Sequence, residues 1–298
     1  MIENKVSIII PSRGEQYLTK TIRDVLAKAS GDIEVIAAID GDMPEIVNDK
    51  RVQYIYVTSG HGKRYGMNTG VAASKGEYLM FLDGHCMMAE GFDEVLKKDC
   101  DGDWVVTPRR YKLDPDNWEI LDDGKGPVDY MYICWPPKNP NKPTLDGFPW
   151  RARAERRKNI MVDDDMIHQG SSWFTTADHY DRMGFMQTDG YGGNLQEAQE
   201  VCLKTWLSGG RVVRNKNTWF AHWRKRRRGW EWNEKEISKG WKYSTDFWLN
   251  NRWEGRTYDF QWLIEKFYPV PTWPEDRSKW LDITSDTKYF YDRLINNG

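Results

Sequence analysis

The chain reads as an α/β protein with a mostly parallel central sheet covered by helices on both faces. Three observations predict this. Apolar runs of strand length alternate with helix-period segments through the first third. The runs are apolar throughout rather than at every second residue, as strands buried on both faces require. Two of them end abruptly in an acid, Asp40 and Asp83, on the edge where such sheets bind ligands.

In chain order, residues 6–10 predict a first strand. Residues 17–29 predict an amphipathic helix, with Leu18, Ile22, Val25, Leu26 and Ala29 at helical spacing. Strands follow at 33–39 and 51–57, then a helix of small residues at 66–75 and a strand at 78–82. A helix at 90–98 and a short strand at 103–107 complete the alternation. Eight of the 13 prolines then fall between Pro108 and Pro149, and periodicity disappears. Residues 108–168 are therefore expected to form an irregular lid or insertion over the active-site face. Arg151–Lys158 predicts a basic helix. Nine of the 16 Trp lie between Trp223 and Trp280. The expected division is a catalytic domain over 1–222 and a basic, Trp-rich helical extension over 223–298, whose Trp241, Trp248, Trp253 and Trp262 form a packed core.

The length allows a sizeable core, and 39% hydrophobic with 30% charged residues suits a globular chain. The net charge of −2 conceals five consecutive cations, Arg224 to Arg228. The four cysteines show no paired spacing, which argues against a zinc knuckle or a disulfide framework. Residues 6–10 are far too short for a signal sequence or a membrane span. The protein is expected in the cytoplasm, without a membrane partner.

Chemistry concentrates at Asp83-Gly84-His85. A buried strand has little use for a carboxylate and an imidazole at its tip, whereas a divalent metal takes both, and one intervening residue points them the same way. A helix N-cap by Asp83, with His85 incidental, is the competing reading. Lys63 and Arg64 precede the small-residue helix, where cations can meet a diphosphate or simply be solvated.

Several separated segments resemble family 2 glycosyltransferases with the GT-A fold. The opening residues 6–15 are similar to that family's first strand and donor loop, which implies donor contacts for Pro11, Arg13 and Glu15. Asp40-Gly41 resembles the acidic end of the second strand, implying a uracil or ribose contact. Residues 66–70, with Asn68, through Gly76-Glu77-Tyr78 and Phe81-Leu82-Asp83 resemble the family's Asn-x-Gly, Gly-Glu-Tyr, Phe-Leu-Asp progression. Asp83-Gly84-His85 looks like the Asp-x-His variant of the polypeptide N-acetylgalactosaminyltransferase branch, and Thr218-Trp219-Phe220-Ala221-His222 looks like that branch's strand-end histidine. The resemblance implies Asp83, His85 and His222 as ligands of Mn²⁺ or Mg²⁺, and a UDP-sugar donor. Residues 168–172 lie where relatives have a Gly-rich strand near the transferred sugar, implying a donor contact at Gly170. Residues 190–197 resemble the family's acceptor-side segment and set Glu197 and Glu200 over its two acids. Glu197 is then the candidate general base, or an acceptor-positioning group in a transfer that retains configuration.

The basic run Arg224–Arg228, flanked by Trp223, Trp230 and Trp232, suits phosphate contact and base stacking. It also suits a clamp on the donor diphosphate. The C-terminal region resembles that of small phage-encoded glycosyltransferases, some of which decorate hydroxymethylated bases in DNA. That implies a DNA acceptor and a host-cytoplasm setting. A glycan, lipid-linked or protein acceptor is the alternative, and a non-catalytic nucleic-acid-binding module on a decayed scaffold is a third. A sugar nucleotidyltransferase is disfavoured, because Pro11-Ser12-Arg13-Gly14 does not resemble its Gly-rich loop.

Overall fold

The computed structural model describes residues 1–41, 43–57, 61–140, 144–192, 195–225 and 234–280. The first half alternates as the sequence predicts: β1 (Ile2–Ser12), α1 (Leu18–Lys28), β2 (Ile33–Asp40), β3 (Val52–Val57), α2 (Lys63–Ala73) and β4 (Gly76–Leu82). Then come β5 (Cys86–Met88), α3 (Phe92–Lys98), β6 (Trp104–Asp114), β7 (Glu119–Ile120), β8 (Met131–Ile133), β9 (Gly147–Pro149), α4 (Arg151–Arg156) and β10 (Val162–Asp164). The remainder comprises β11 (Ser172–Thr176), α5 (Ala177–Met183), α6 (Glu197–Leu207), β12 (Arg211–His222), α7 (Glu234–Leu249) and α8 (Phe260–Phe267).

The main sheet runs in the order β10-β12-β6-β11-β4-β1-β2-β3, with β5 on β12 and β7 on β6. β1 is parallel to β2 and β4, and β2 to β3. β11 is antiparallel to both β4 and β6, so β6 runs the way β4 does, and β12 is parallel to β6. β1, β2, β3, β4, β6 and β12 therefore share one direction and end on one edge.

Each central strand is apolar throughout because successive side chains enter different cores. Ile8, Ile10, Met80, Leu82 and Val106 join α1 and α3 on one face. Ile9, Leu79, Phe81, Val105 and Trp173 face α5 and α6 on the other. α2 can lie close on β1 because its contact residues are glycines. A Cβ at Gly70 would sit 2.4 Å from Ile9 Cγ2, inside van der Waals contact.

Two expectations change. The strand predicted to stop at Thr107 continues through Pro108 to Asp114. Pro108 pairs with Asn215 where the β6–β12 register shifts, and such an irregularity accommodates the missing N–H. The stretch 108–168, expected to be irregular, contains the rest of β6, β7, the β8–β9 hairpin, α4 and β10. Of its prolines, Pro108 sits at an irregular register, Pro136 and Pro137 in a 3₁₀ turn and Pro149 at a strand end, so these do not abolish structure. Farther on, Trp248, Phe260, Leu263, Phe267, Trp273 and Trp280 share one apolar core with Trp206 and Leu207 of α6.

Candidate active site

The sheet edge explains how residues remote in sequence meet. Asp83 and His85 follow β4, and β5 begins at once and pairs antiparallel with the end of β12, matching Cys86 to His222. The Trp223 N–H donates to the His85 carbonyl at 3.1 Å, closing that corner. The two imidazoles, 137 residues apart, face each other with Nε2 atoms 3.1 Å apart. Asp83 Oδ2 lies 3.4 Å from His222 Nε2 and 3.9 Å from His85 Nε2.

This donor set fits a divalent cation. One ligand atom from each of the three residues falls within 4.8 Å of the others. Two ligands about 2.1 Å from one ion, at the right angles of an octahedron, stand about 3.0 Å apart. The His85 Nδ1–H donates to Glu15 Oε2 at 2.9 Å, which leaves its Nε2 lone pair turned toward His222 and Asp83. Burial draws His222 down to about 4, so its ring is neutral and able to ligate near pH 7. Burial would raise the Asp83 pKa, but Lys63 and the two imidazoles outweigh it and hold the carboxyl well below its usual range. One carboxylate with two imidazoles suits a transition metal better than Ca²⁺.

The three residues border a cavity of about 510 Å³, also lined by Pro11, Arg13, Glu15, Asp40, Lys63, Gly170 and Glu197. Lys63 bridges Asp83 Oδ1 at 2.7 Å and the Gly170 carbonyl at 3.0 Å. Burial would lower its pKa, but Asp83 and Glu197 together hold it above the usual lysine value. Asp40 accepts from the Gly62 N–H at 3.4 Å and lies 3.8 Å from Arg13. Glu197 opens α6 and accepts from the Leu195 N–H at 3.1 Å. The two residues before it, Leu195 and Gln196, are left-handed at φ 75° and 59°. Such backbone costs about 1–3 kcal/mol per residue and persists only where the surroundings impose it.

Four expected site residues do not line the cavity. Arg64 and Glu200 form an ion pair with no exposed side-chain surface. Glu200 Oε1 also takes Lys204 at 2.7 Å and the Gln187 N–H at 3.0 Å. Arg64 donates to the Leu195 carbonyl from Nη2 at 3.0 Å and stacks on Tyr191, so it holds the turn before Glu197 rather than a diphosphate. Asn68 brackets the Met186 backbone, donating to its carbonyl and accepting from its N–H, both at 2.9 Å. Gly84 is enclosed by Leu18 and Glu15. His168 is buried with Nδ1 against the Gln169 carbonyl, and burial pulls it to about 3.

Sequence reasoning missed Ser12 and Leu195 as lining residues, and it did not foresee that Glu15, which lines the cavity, also partners His85. Of the basic run, Arg224 and Lys225 line the cavity, and Lys225 pairs with Glu15. Arg226, Arg227 and Arg228 lie outside the described residues, as do Trp230 and Trp232. Among the described residues, no helix is long and apolar enough to cross a membrane.

Residues 7–155, half of the chain, match the family described as Glycosyl transferase family 2. The chain belongs to that family. Among curated members this family 2 chain is 23% identical over 240 residues to a putative polypeptide N-acetylgalactosaminyltransferase 13 of Drosophila melanogaster, covering 71% of this chain and 40% of the relative. The chain thus spans well under half of that relative's length. Its fold is similar to the crystal structure of GalNAc-T7 with UDP, GalNAc and Mn²⁺, at TM-score 0.67 and 16% identity, over 98% of this chain and 57% of the other. It is also similar to Staphylococcus aureus TarS in complex with UDP-GlcNAc, at TM-score 0.53 and 10% identity, over 97% and 74%. These likenesses establish a GT-A-like fold for this family 2 chain.

Proposed function

We propose that the chain is a metal-dependent glycosyltransferase that moves a sugar from a nucleoside-diphosphate sugar, a UDP-sugar, to an acceptor hydroxyl. The convergence of Asp83, His85 and His222 in the lining of a cavity of about 510 Å³ carries this reading. Family membership supports it, as do fold neighbours that hold UDP or UDP-GlcNAc.

When bound, Mn²⁺ (or Mg²⁺) supplies Lewis-acid neutralisation of the charge that develops on the departing diphosphate. Asp83, His85 and His222 hold it. The Lys63 ammonium, fixed between Asp83 and the Gly170 carbonyl, adds positive charge beside the same leaving group. Pro11, Arg13 and Asp40 receive the nucleoside end. Glu197 faces the cavity from the first turn of α6 and takes the proton from the acceptor hydroxyl as it attacks the anomeric carbon.

The acceptor in this reading is a hydroxymethylated base in DNA. Arg224 at the cavity supports it by offering charge to a phosphate backbone, with Trp223 beside His85 as an aromatic neighbour. The test is to screen UDP-sugars for Mn²⁺-stimulated UDP release, then repeat with DNA containing 5-hydroxymethylcytosine and weigh the DNA by mass spectrometry. A hexose or N-acetylhexosamine increment on the DNA is expected. UDP release with unmodified DNA would move the acceptor to a glycan, lipid-linked sugar or protein. No UDP release with any donor would overturn the enzymatic reading.

A further inference from the structure

We propose that Glu15 is the positioning residue of the metal centre, setting its affinity by fixing the ring of His85. The inference rests on the metal-dependent reading above and adds a residue that acts through a ligand rather than as one. Glu15 Oε2 accepts from His85 Nδ1 at 2.9 Å, with only 11% and 8% of the two side chains exposed. An ionised carboxylate accepts and cannot donate, so His85 must carry its proton on Nδ1 and turn the Nε2 lone pair toward Asp83 and His222. Such an outer carboxylate also makes the imidazole a stronger ligand.

The geometry around this contact is built for it. Glu15 lies in the loop after β1, 70 residues before His85, and its side chain crosses Gly84 to reach the ring. A Cβ at Gly84 would stand 3.2 Å from Leu18 Cδ1 and 3.3 Å from Glu15 Cγ, both tighter than ordinary contact. The glycine inside the Asp-x-His triplet therefore provides clearance for the Glu15 arm. The other oxygen, Oε1, is taken by Lys225, so the buried carboxylate is compensated and held from the side of the chain that follows His222. Among the described residues, no side chain supports the outer nitrogen of His222 in this way, and its Nδ1 is buried without a hydrogen-bond partner among them. The place of His222 comes from the β5–β12 pairing. The two imidazoles are thus fixed by different means: Glu15 holds the outer nitrogen of His85, whereas strand pairing places His222.

The test is a Mn²⁺ titration followed by electron paramagnetic resonance on wild type, Glu15→Gln, Glu15→Ala and Gly84→Ala, with thermal melting of each protein. The Glu15→Ala dissociation constant should rise about 10–100-fold with one equivalent still bound and melting near wild type. Glu15→Gln should fall between, because its amide oxygen still accepts from Nδ1–H without the charge. Gly84→Ala should weaken Mn²⁺ by a smaller factor. Glu15→Ala and Glu15→Gln variants that bind Mn²⁺ within two-fold of wild type would overturn the inference while leaving the metal centre standing. A wild-type protein with no Mn²⁺ site would remove the metal-dependent reading, and this inference with it.

Discussion

Two polar trios sit within one molecule and behave in opposite ways. Asp83, His85 and His222 converge at the cavity with Nε2 atoms 3.1 Å apart, and each atom that faces the others is a potential ligand. Arg64, Glu200 and Lys204 form an equally compact group, but it is buried and both oxygens of Glu200 are engaged by cations. The first trio has donor capacity that the protein does not use up, and the second has none left. A charged cluster can bind a ligand only where its polar atoms are not already saturated by neighbours. The buried trio still serves the site, because Arg64 grips the Leu195 carbonyl and so holds the left-handed turn that aims Glu197.

The largest effect should come from the open trio. Asp83→Asn should abolish metal-stimulated UDP release with melting close to wild type, as checked by a coupled UDP assay. Residual turnover within ten-fold of wild type would erase the distinction drawn between the trios. Next, Glu197→Gln should lower the transfer rate about 100-fold or more while donor KM changes little, measured with saturating acceptor. Third, Glu200→Gln should act on stability, costing about 3–5 kcal/mol in urea denaturation, because it strands Arg64 and Lys204 in the interior. Unchanged stability would mean that the second trio is not the brace described here.

The smallest effect is one of pH. Burial holds His168 at about 3 and His179 at about 4. Their unfolded value is about 6.5. Between about pH 6.5 and 4 the unfolded chain takes up protons that the folded chain refuses, so stability is full above that window and falls on acidification. Replacing His179 with Gln should flatten the decline of the urea midpoint between pH 6.5 and 4.

The strands were legible because their burial on both faces is written locally, as runs such as Ile8-Ile9-Ile10. The Asp83-Gly84-His85 tip was legible for the same reason, being contiguous. His222 needed resemblance, since nothing local says that β12 ends beside β5. Arg64 was misread because the sequence predicts the helix from Gly66, whereas α2 begins at Lys63. Neighbours on a first helical turn point about 100° apart, so Lys63 meets the cavity while Arg64 turns inward. Glu200 was misread in a similar way. α6 starts at Glu197, leaving that acid at the rim and setting Glu200 one turn deeper. The Glu15–His85 contact joins residues across a loop and a strand end, and no periodicity encodes it.

The most direct measurement is a crystal of the protein grown with Mn²⁺ and UDP, examined by anomalous scattering at the manganese edge. The account predicts one strong peak within coordination distance of Asp83, His85 Nε2 and His222 Nε2, in contact with the UDP diphosphate. UDP bound in the cavity with no manganese peak there, or with the peak held by other residues, would contradict it.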